Sequence, residues 1–172
     1  MALKILIISS EFPPGPGGIG KHAYSLVTAL LHYDCEVSVL CDMDYSTEEE
    51  INTFLSELPE RLHIHRVLRS GYKTYFERIR TALLLVRNNN FDKIIVTGKT
   101  PIWIGAYLKF RFGNKLKVEA FIHGTEVKPN RWLIRTVTLK SLKIIDKIWA
   151  VSNFTKSLLP LYLYGTIEAG TL

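Results

Sequence analysis

Six apolar runs of strand length constrain this chain more than any other feature: Lys4–Ser9, Glu36–Cys41, Leu62–Val67, Lys93–Thr97, Lys117–Ile122 and Lys147–Val151. Between and after them lie stretches with helical spacing, Gly20–His32, Thr47–Leu58, Tyr72–Asn88, Pro101–Phe112, Asn130–Ile144 and Asn153–Tyr162. The runs are nearly continuous in Ile, Val and Leu rather than alternating apolar with polar. Strands of that kind are buried on both faces, which happens in parallel sheets covered by helices on each side. The expected fold is therefore a Rossmann-like three-layer α/β/α domain with a mainly parallel sheet of about six or seven strands. A length of 172 residues suits one such domain. Ligands in these sheets bind beyond the carboxyl ends of the strands.

Polar clusters stand at those ends. After the first run comes Pro13-Pro14-Gly15-Pro16-Gly17-Gly18-Ile19-Gly20-Lys21-His22. Thr97-Gly98-Lys99-Thr100-Pro101 follows the fourth run, His123-Gly124-Thr125-Glu126 the fifth and Ser152-Asn153-Phe154-Thr155-Lys156 the sixth. A glycine loop that opens a helix is suited to a phosphate, because bare backbone can approach the ligand and first-turn N–H groups have no acceptor in the helix.

Three phosphate-binding patterns fit that loop. Gly15, Gly17 and Gly20 match the G-x-G-x-x-G of dinucleotide binders, with Asp42 about 20 residues on as the ribose acid. Five residues stand between Ser9 and Gly15, however, and the fingerprint turns more tightly off its strand. Gly15 to Lys21 matches G-x-x-x-x-G-K, but His22 stands where a P-loop needs Ser or Thr for magnesium. The third pattern draws on the whole chain. Glu11-Phe12-Pro13-Pro14 with Gly17-Gly18-Ile19-Gly20 and the helix His22–Leu30, then Phe121–Glu126, then Asp146–Lys156, together resemble GT-B-fold glycosyltransferases of family 4 over residues 3 to 160.

The resemblance implies the N-terminal, acceptor-side domain of a retaining, metal-independent enzyme that takes sugar from a nucleotide-sugar donor. Its acceptor would be a glycan or a lipid-linked molecule, in cell-envelope polysaccharide or glycolipid synthesis. On this reading Gly17 and Gly18, with Lys21 adding charge, lie against the donor phosphate, and His123 contacts the transferred sugar. Thr125, Glu126, Thr97, Lys99 and Ser152 fall where acceptor contacts occur, although Ser152 and Thr155 also suit helix caps. No cofactor or metal is expected. Asp42-Met43-Asp44 reads as the acidic end of a strand rather than a metal motif. Family members run to about twice this length, so a C-terminal donor-binding domain is expected in cis or in trans, and the piece alone is expected not to turn over. The alternatives are a dinucleotide-binding domain or a transferase-like fragment without catalysis.

The net charge of +6 is unevenly spread. Residues 42–60 hold seven acids and no Lys or Arg, whereas residues 109–147 hold ten Lys or Arg and three acids. Along 131–147, Arg131, Arg135, Lys140, Lys143 and Lys147 share about half a helix circumference with Trp132, Leu139 and Leu142, at about 100° per residue. Basic residues mixed with Trp and Leu suit an anionic membrane surface. No nucleic-acid motif accompanies the charge, and no nucleic-acid partner is expected. Cys35 and Cys41 lie six residues apart on one extended run, about 20 Å at about 3.3 Å per residue. That is too far for a disulfide, and free thiols with no signal-like N-terminus point to the cytoplasm.

Overall fold

The computed structural model describes residues 2–43, 46–69, 71–128 and 131–169. The chain divides into two compact units, Met1–Asp92 and Lys93–Leu172.

The first unit runs β1 (Lys4–Ser9), α1 (Gly18–His32), β2 (Glu36–Met43), α2 (Glu48–Ser56), β3 (Leu62–Leu68) and α3 (Lys73–Asn88). Its strands pair in the order β3-β2-β1, all parallel, with Ile5 opposite Val37 and Val39 opposite Ile64. Leu6, Ile7, Ile8, Val37, Val39 and Leu40 are fully buried. α1 turns its small residues Gly20, Ala23 and Val27 inward, a three- and four-residue spacing that lets the helix approach closely. α2 opens on a capping box: Thr47 Oγ1 accepts from Glu50 N, and Glu50 reaches back to Thr47 N at 2.8 Å. Cys35 and Cys41 are buried free thiols, and burial pushes the Cys41 thiol up to about 12.

The second unit runs β4 (Lys93–Thr97), α4 (Lys99–Phe112), β5 (Lys117–Ile122), α5 (Trp132–Ile144), β6 (Lys147–Ala150), α6 (Asn153–Ser157) and β7 (Ile167–Ala169). These strands pair in the order β4-β5-β6-β7, again all parallel. α4 packs closely through Gly105, where an added Cβ would stand 2.8 Å from Val96 Cγ1. Trp103 Nε1 donates to Thr138 Oγ1 at 3.0 Å, joining α4 to α5. Both units alternate strand and helix with parallel neighbours, a Rossmann-like α/β fold.

Two expectations need correction. The final helix does not run to Tyr162 but stops at Ser157, followed by a 3-10 turn over Leu161–Thr166. Pro160 supplies no N–H to continue the helix and disfavours helical backbone just before it. The basic arc around α5 also changes composition. Leu142 is fully buried beside Thr138 and Ser141 on the face that α4 covers. Lys147 belongs to β6, with its ammonium 3.9 Å from the centroid of the Trp149 ring.

Candidate functional site

In the first unit, the β1–α1 loop is pinned before it reaches the helix. Ser9 Oγ donates to Glu11 O at 2.6 Å, and Arg66 on β3 donates to Pro13 O. Phe12 is buried and meets Tyr24 and Phe54 edge-on, at 5.9 and 6.3 Å between centroids. Gly17 is the N-cap of α1, with φ 129° and ψ 148°, a conformation that essentially only glycine adopts. Among the described residues no side chain caps this helix, and no acid lies in its first turn. Lys21 N is the first intrahelical donor, to Gly17 O at 3.2 Å, so the N–H groups ahead of it have no acceptor within the helix. Lys21 itself is exposed. The region has the positive end of a helix dipole and a pre-set backbone, the usual requirements for an anion.

Asp42 lies at the end of β2 but is not open to a ribose. It is 5% exposed, and both of its carboxylate oxygens accept from Arg78 Nη2, a side chain buried to the same degree. The dinucleotide alternative loses its acid to an internal ion pair. Asp44 lies outside the described residues.

In the second unit, His123 leaves the end of β5 half-buried and is held from three directions. Thr97 Oγ1, at the end of β4 and 1% exposed, is 2.9 Å from His123 Nε2. Glu126, also 1% exposed, accepts from His123 N at 3.1 Å and Gly124 N at 2.9 Å through Oε2. Thr155 Oγ1 donates to His123 O at 3.5 Å, and Ser152 Oγ lies 3.1 Å from Thr155 Oγ1 while capping α6 through Thr155 N. Burial holds the His123 imidazole below its ordinary value of 6.5, so the ring is neutral near pH 7. A neutral, positioned imidazole is equipped to exchange a hydrogen bond with a hydroxyl.

These residues lie on the segments that a known family shares. The family described as Glycosyltransferase Family 4 matches residues 16–163. The chain belongs to that family. No curated protein matches the sequence. Among solved structures, the catalytic domain of starch synthase IV from Arabidopsis thaliana, bound to ADP and acarbose, is similar at 13% identity and TM-score 0.68, covering 98% of this chain and 51% of that one. HepE from Anabaena in complex with UDP matches at 12% identity and TM-score 0.66, covering 97% and 43%. UDP-GlcNAc 2-epimerase from Methanocaldococcus jannaschii matches at 14% identity and TM-score 0.65, covering 97% and 45%. The chain spans about half the length of such structures, and likeness at this identity shows the fold alone.

Within this family 4 domain, Thr97, His123, Glu126 and Ser152 are brought into one hydrogen-bonded group. Thr125 is exposed on the same turn, and Lys99 is half-exposed as the first residue of α4. Gly17, Gly18 and Lys21 stand in the other unit. Sequence reasoning missed two features. Arg66 is a strand residue whose contact with Pro13 depends on sheet register. Glu11 has a buried Oε2 without a hydrogen-bond partner among the described residues, lying where a Cβ on Gly17 would sit. Its place in the loop gave only a hint: an acid at the end of an apolar strand ahead of two prolines.

Proposed function

We propose that this family 4 domain is the N-terminal, acceptor-side half of a retaining, metal-independent glycosyltransferase. It works with a donor-binding half to move a sugar from a nucleotide sugar to a glycan or lipid-linked acceptor in cell-envelope polysaccharide or glycolipid synthesis, in the cytoplasm. The observation that carries this reading is the His123 group. A neutral imidazole is held at the end of β5 by a threonine hydroxyl, while a buried carboxylate fixes its backbone. Such rigid placement suits a group that must meet one sugar hydroxyl in one orientation.

Within that reading the roles divide. The uncapped start of α1 stabilises negative charge that develops on a departing diphosphate, with Lys21 adding a point charge. His123 orients the transferred sugar. Thr97 and Glu126, being buried, serve by holding the histidine, and Thr125 and Lys99 are the more exposed candidates for acceptor hydroxyls. The UDP and ADP held by the similar structures support a nucleotide-sugar donor.

The test is transfer of radiolabelled sugar from nucleotide-sugar donors to lipid or saccharide acceptors, by the chain alone and with a C-terminal donor half supplied. Turnover is expected only with both halves, and His123→Ala is expected to abolish it while leaving the fold intact. Turnover by the isolated chain would sink the two-half reading. Unimpaired transfer by the His123→Ala pair would remove the histidine from the mechanism.

A further inference from the structure

The His123 group does not end at the buried residues that hold it. Phe154, on the first turn of α6, is 68% exposed and stands next to Thr155, whose hydroxyl reaches His123 O. Lys128 closes the turn that follows His123. Its N–H donates to Gly124 O at 3.2 Å, and its ammonium lies 5.7 Å from the centroid of the Phe154 ring. This turn is packed on α6, since a Cβ on Gly124 would stand 3.5 Å from Leu158 Cδ1 and 3.7 Å from Thr155 Oγ1. Phe154 belongs to no apolar helix face, because the rest of α6 is Asn153, Thr155, Lys156 and Ser157. The charge here is one-sided. Lys99, Lys128 and Lys156 follow the ends of β4, β5 and β6, and among the described residues none of the three is in an ion pair. The one acid in residues 97–102, 122–128 and 151–157 is Glu126, which is buried with its Oε2 on backbone N–H groups.

From these placements we propose that Thr125, Lys128 and Phe154 form a subsite beside His123 for an acidic sugar, a hexopyranose that carries a carboxylate or a phosphate. The inference rests on the acceptor-side reading above and names the class of acceptor. The face of a phenyl ring is negative, and the C–H groups on one face of a pyranose are slightly positive, so the two stack. A single phenyl among polar side chains offers about the area of one sugar ring, whereas a protein partner asks for a contiguous apolar patch. Lys128 sets a cation close to that ring, within reach of a charged group on the exocyclic carbon of a stacked hexose. Thr125, exposed on the same turn, presents a hydroxyl to the sugar's own hydroxyls. A neutral sugar leaves Lys128 without a counter-charge, and a free phosphate leaves Phe154 bare, so only a ligand with both features uses the whole subsite. Neighbouring strands lie about 4.8 Å apart, so the ends of β4 to β6 span about 10 Å, room for one hexose with its substituents.

The experiment is a heteronuclear NMR titration of the 172-residue chain with methyl glucuronide, glucose 6-phosphate, methyl glucoside and inorganic phosphate. The two acidic sugars are expected to move the resonances of Thr125, Lys128 and Phe154, and the stronger of them tells carboxylate from phosphate. An exposed charge pair gives up to about a five-fold gain, so they should bind about three- to five-fold tighter than methyl glucoside. Inorganic phosphate, without a ring to stack, should bind about ten-fold more weakly than glucose 6-phosphate. Lys128→Gln is expected to erase the preference for acidic sugars while leaving the affinity for methyl glucoside unchanged. Phe154→Leu should weaken every sugar about three- to ten-fold, and Phe154→Tyr should bind as the parent does. Phe76→Ala, which removes a phenyl ring 72% exposed on α3, is the control and should change nothing. The spectra themselves show whether each variant is folded. No shift with any sugar, equal affinity for acidic and neutral sugars, or an unimpaired Phe154→Leu overturns the inference. The two readings fail separately. Selective binding without transfer by the paired halves keeps this subsite and removes the transferase, whereas equal transfer to neutral and acidic acceptors keeps the transferase and removes the subsite.

Discussion

Replacing Gly17 by alanine separates two physical costs that the structure places on one atom. The backbone at φ 129° and ψ 148° costs a residue with a Cβ about 1–3 kcal/mol, whatever surrounds it. The new Cβ would also overlap the Glu11 carboxylate. That group is the far end of a flexible side chain whose Oε2 has no partner to lose among the described residues, so it can swing aside cheaply. The loop itself cannot relax as readily, because Arg66 and Ser9 hold it on the strand side and α1 begins on the other. The strain should dominate, giving a loss of about 2 kcal/mol, or about 4–8 °C in Tm for a chain of this size. Gly18→Ala is the matched control. Nothing lies within 4 Å of its added Cβ, and alanine is favoured over glycine in a helix by about 0.5–1 kcal/mol. Urea unfolding of Gly17→Ala, Gly18→Ala, Glu11→Ala and the Glu11→Ala/Gly17→Ala pair measures these terms, with a coupling below about 1 kcal/mol expected between Glu11 and Gly17. The reasoning fails if Gly17→Ala is as stable as the parent. Full recovery in the double variant would also refute it, showing that the overlap and not the backbone sets the cost.

Other outcomes follow from the buried polar groups. Glu126→Ala strands two backbone donors, at His123 and Gly124, and should cost about 2–4 kcal/mol in urea unfolding; Glu126→Gln keeps an acceptor for both and should cost clearly less. Asp42→Ala leaves the Arg78 guanidinium buried and uncompensated, an expected loss of about 3–5 kcal/mol; replacing both with apolar residues of similar size should cost much less. Because burial lowers the folded-state value of His123, its contribution to stability is full above the ordinary value of 6.5 and is lost as pH falls through the folded value. His65 shifts the same way, through burial first and the charge of His63 second. His123→Gln should therefore show a shallower loss of urea midpoint than the parent between about pH 7 and pH 5, and an unchanged slope would contradict this.

Strand and helix order was legible in the sequence because burial on two faces demands continuous apolar runs, and this chain supplies them. The six expected strands all begin at the expected residue, and their ends differ by no more than two. Helix starts were harder. α1 and α4 begin two residues earlier than periodicity indicates, at Gly18 and Lys99, because a glycine N-cap carries no side-chain signal of the kind Thr47 gives for α2. The α5 face was half legible. Its cations were visible, but which leucines stay outside depends on where α4 packs, and that buried Leu142 while exposing Leu133, Val137 and Ile144.

What the sequence determined by itself is the α/β order, the family and the identity of the residues at the strand ends, since each follows from local pattern and spacing. What only the tertiary structure decided is how those residues are employed. Asp42 is spent on Arg78, Thr97 and Glu126 turn toward His123, and Arg66 holds the glycine loop. All of these partners are joined by strand register or helix packing rather than by closeness in sequence, apart from Glu126, three residues from the histidine it fixes. The physical reason is burial. A polar group carried into the interior must find a partner there, and only the folded chain settles which groups are close enough to serve.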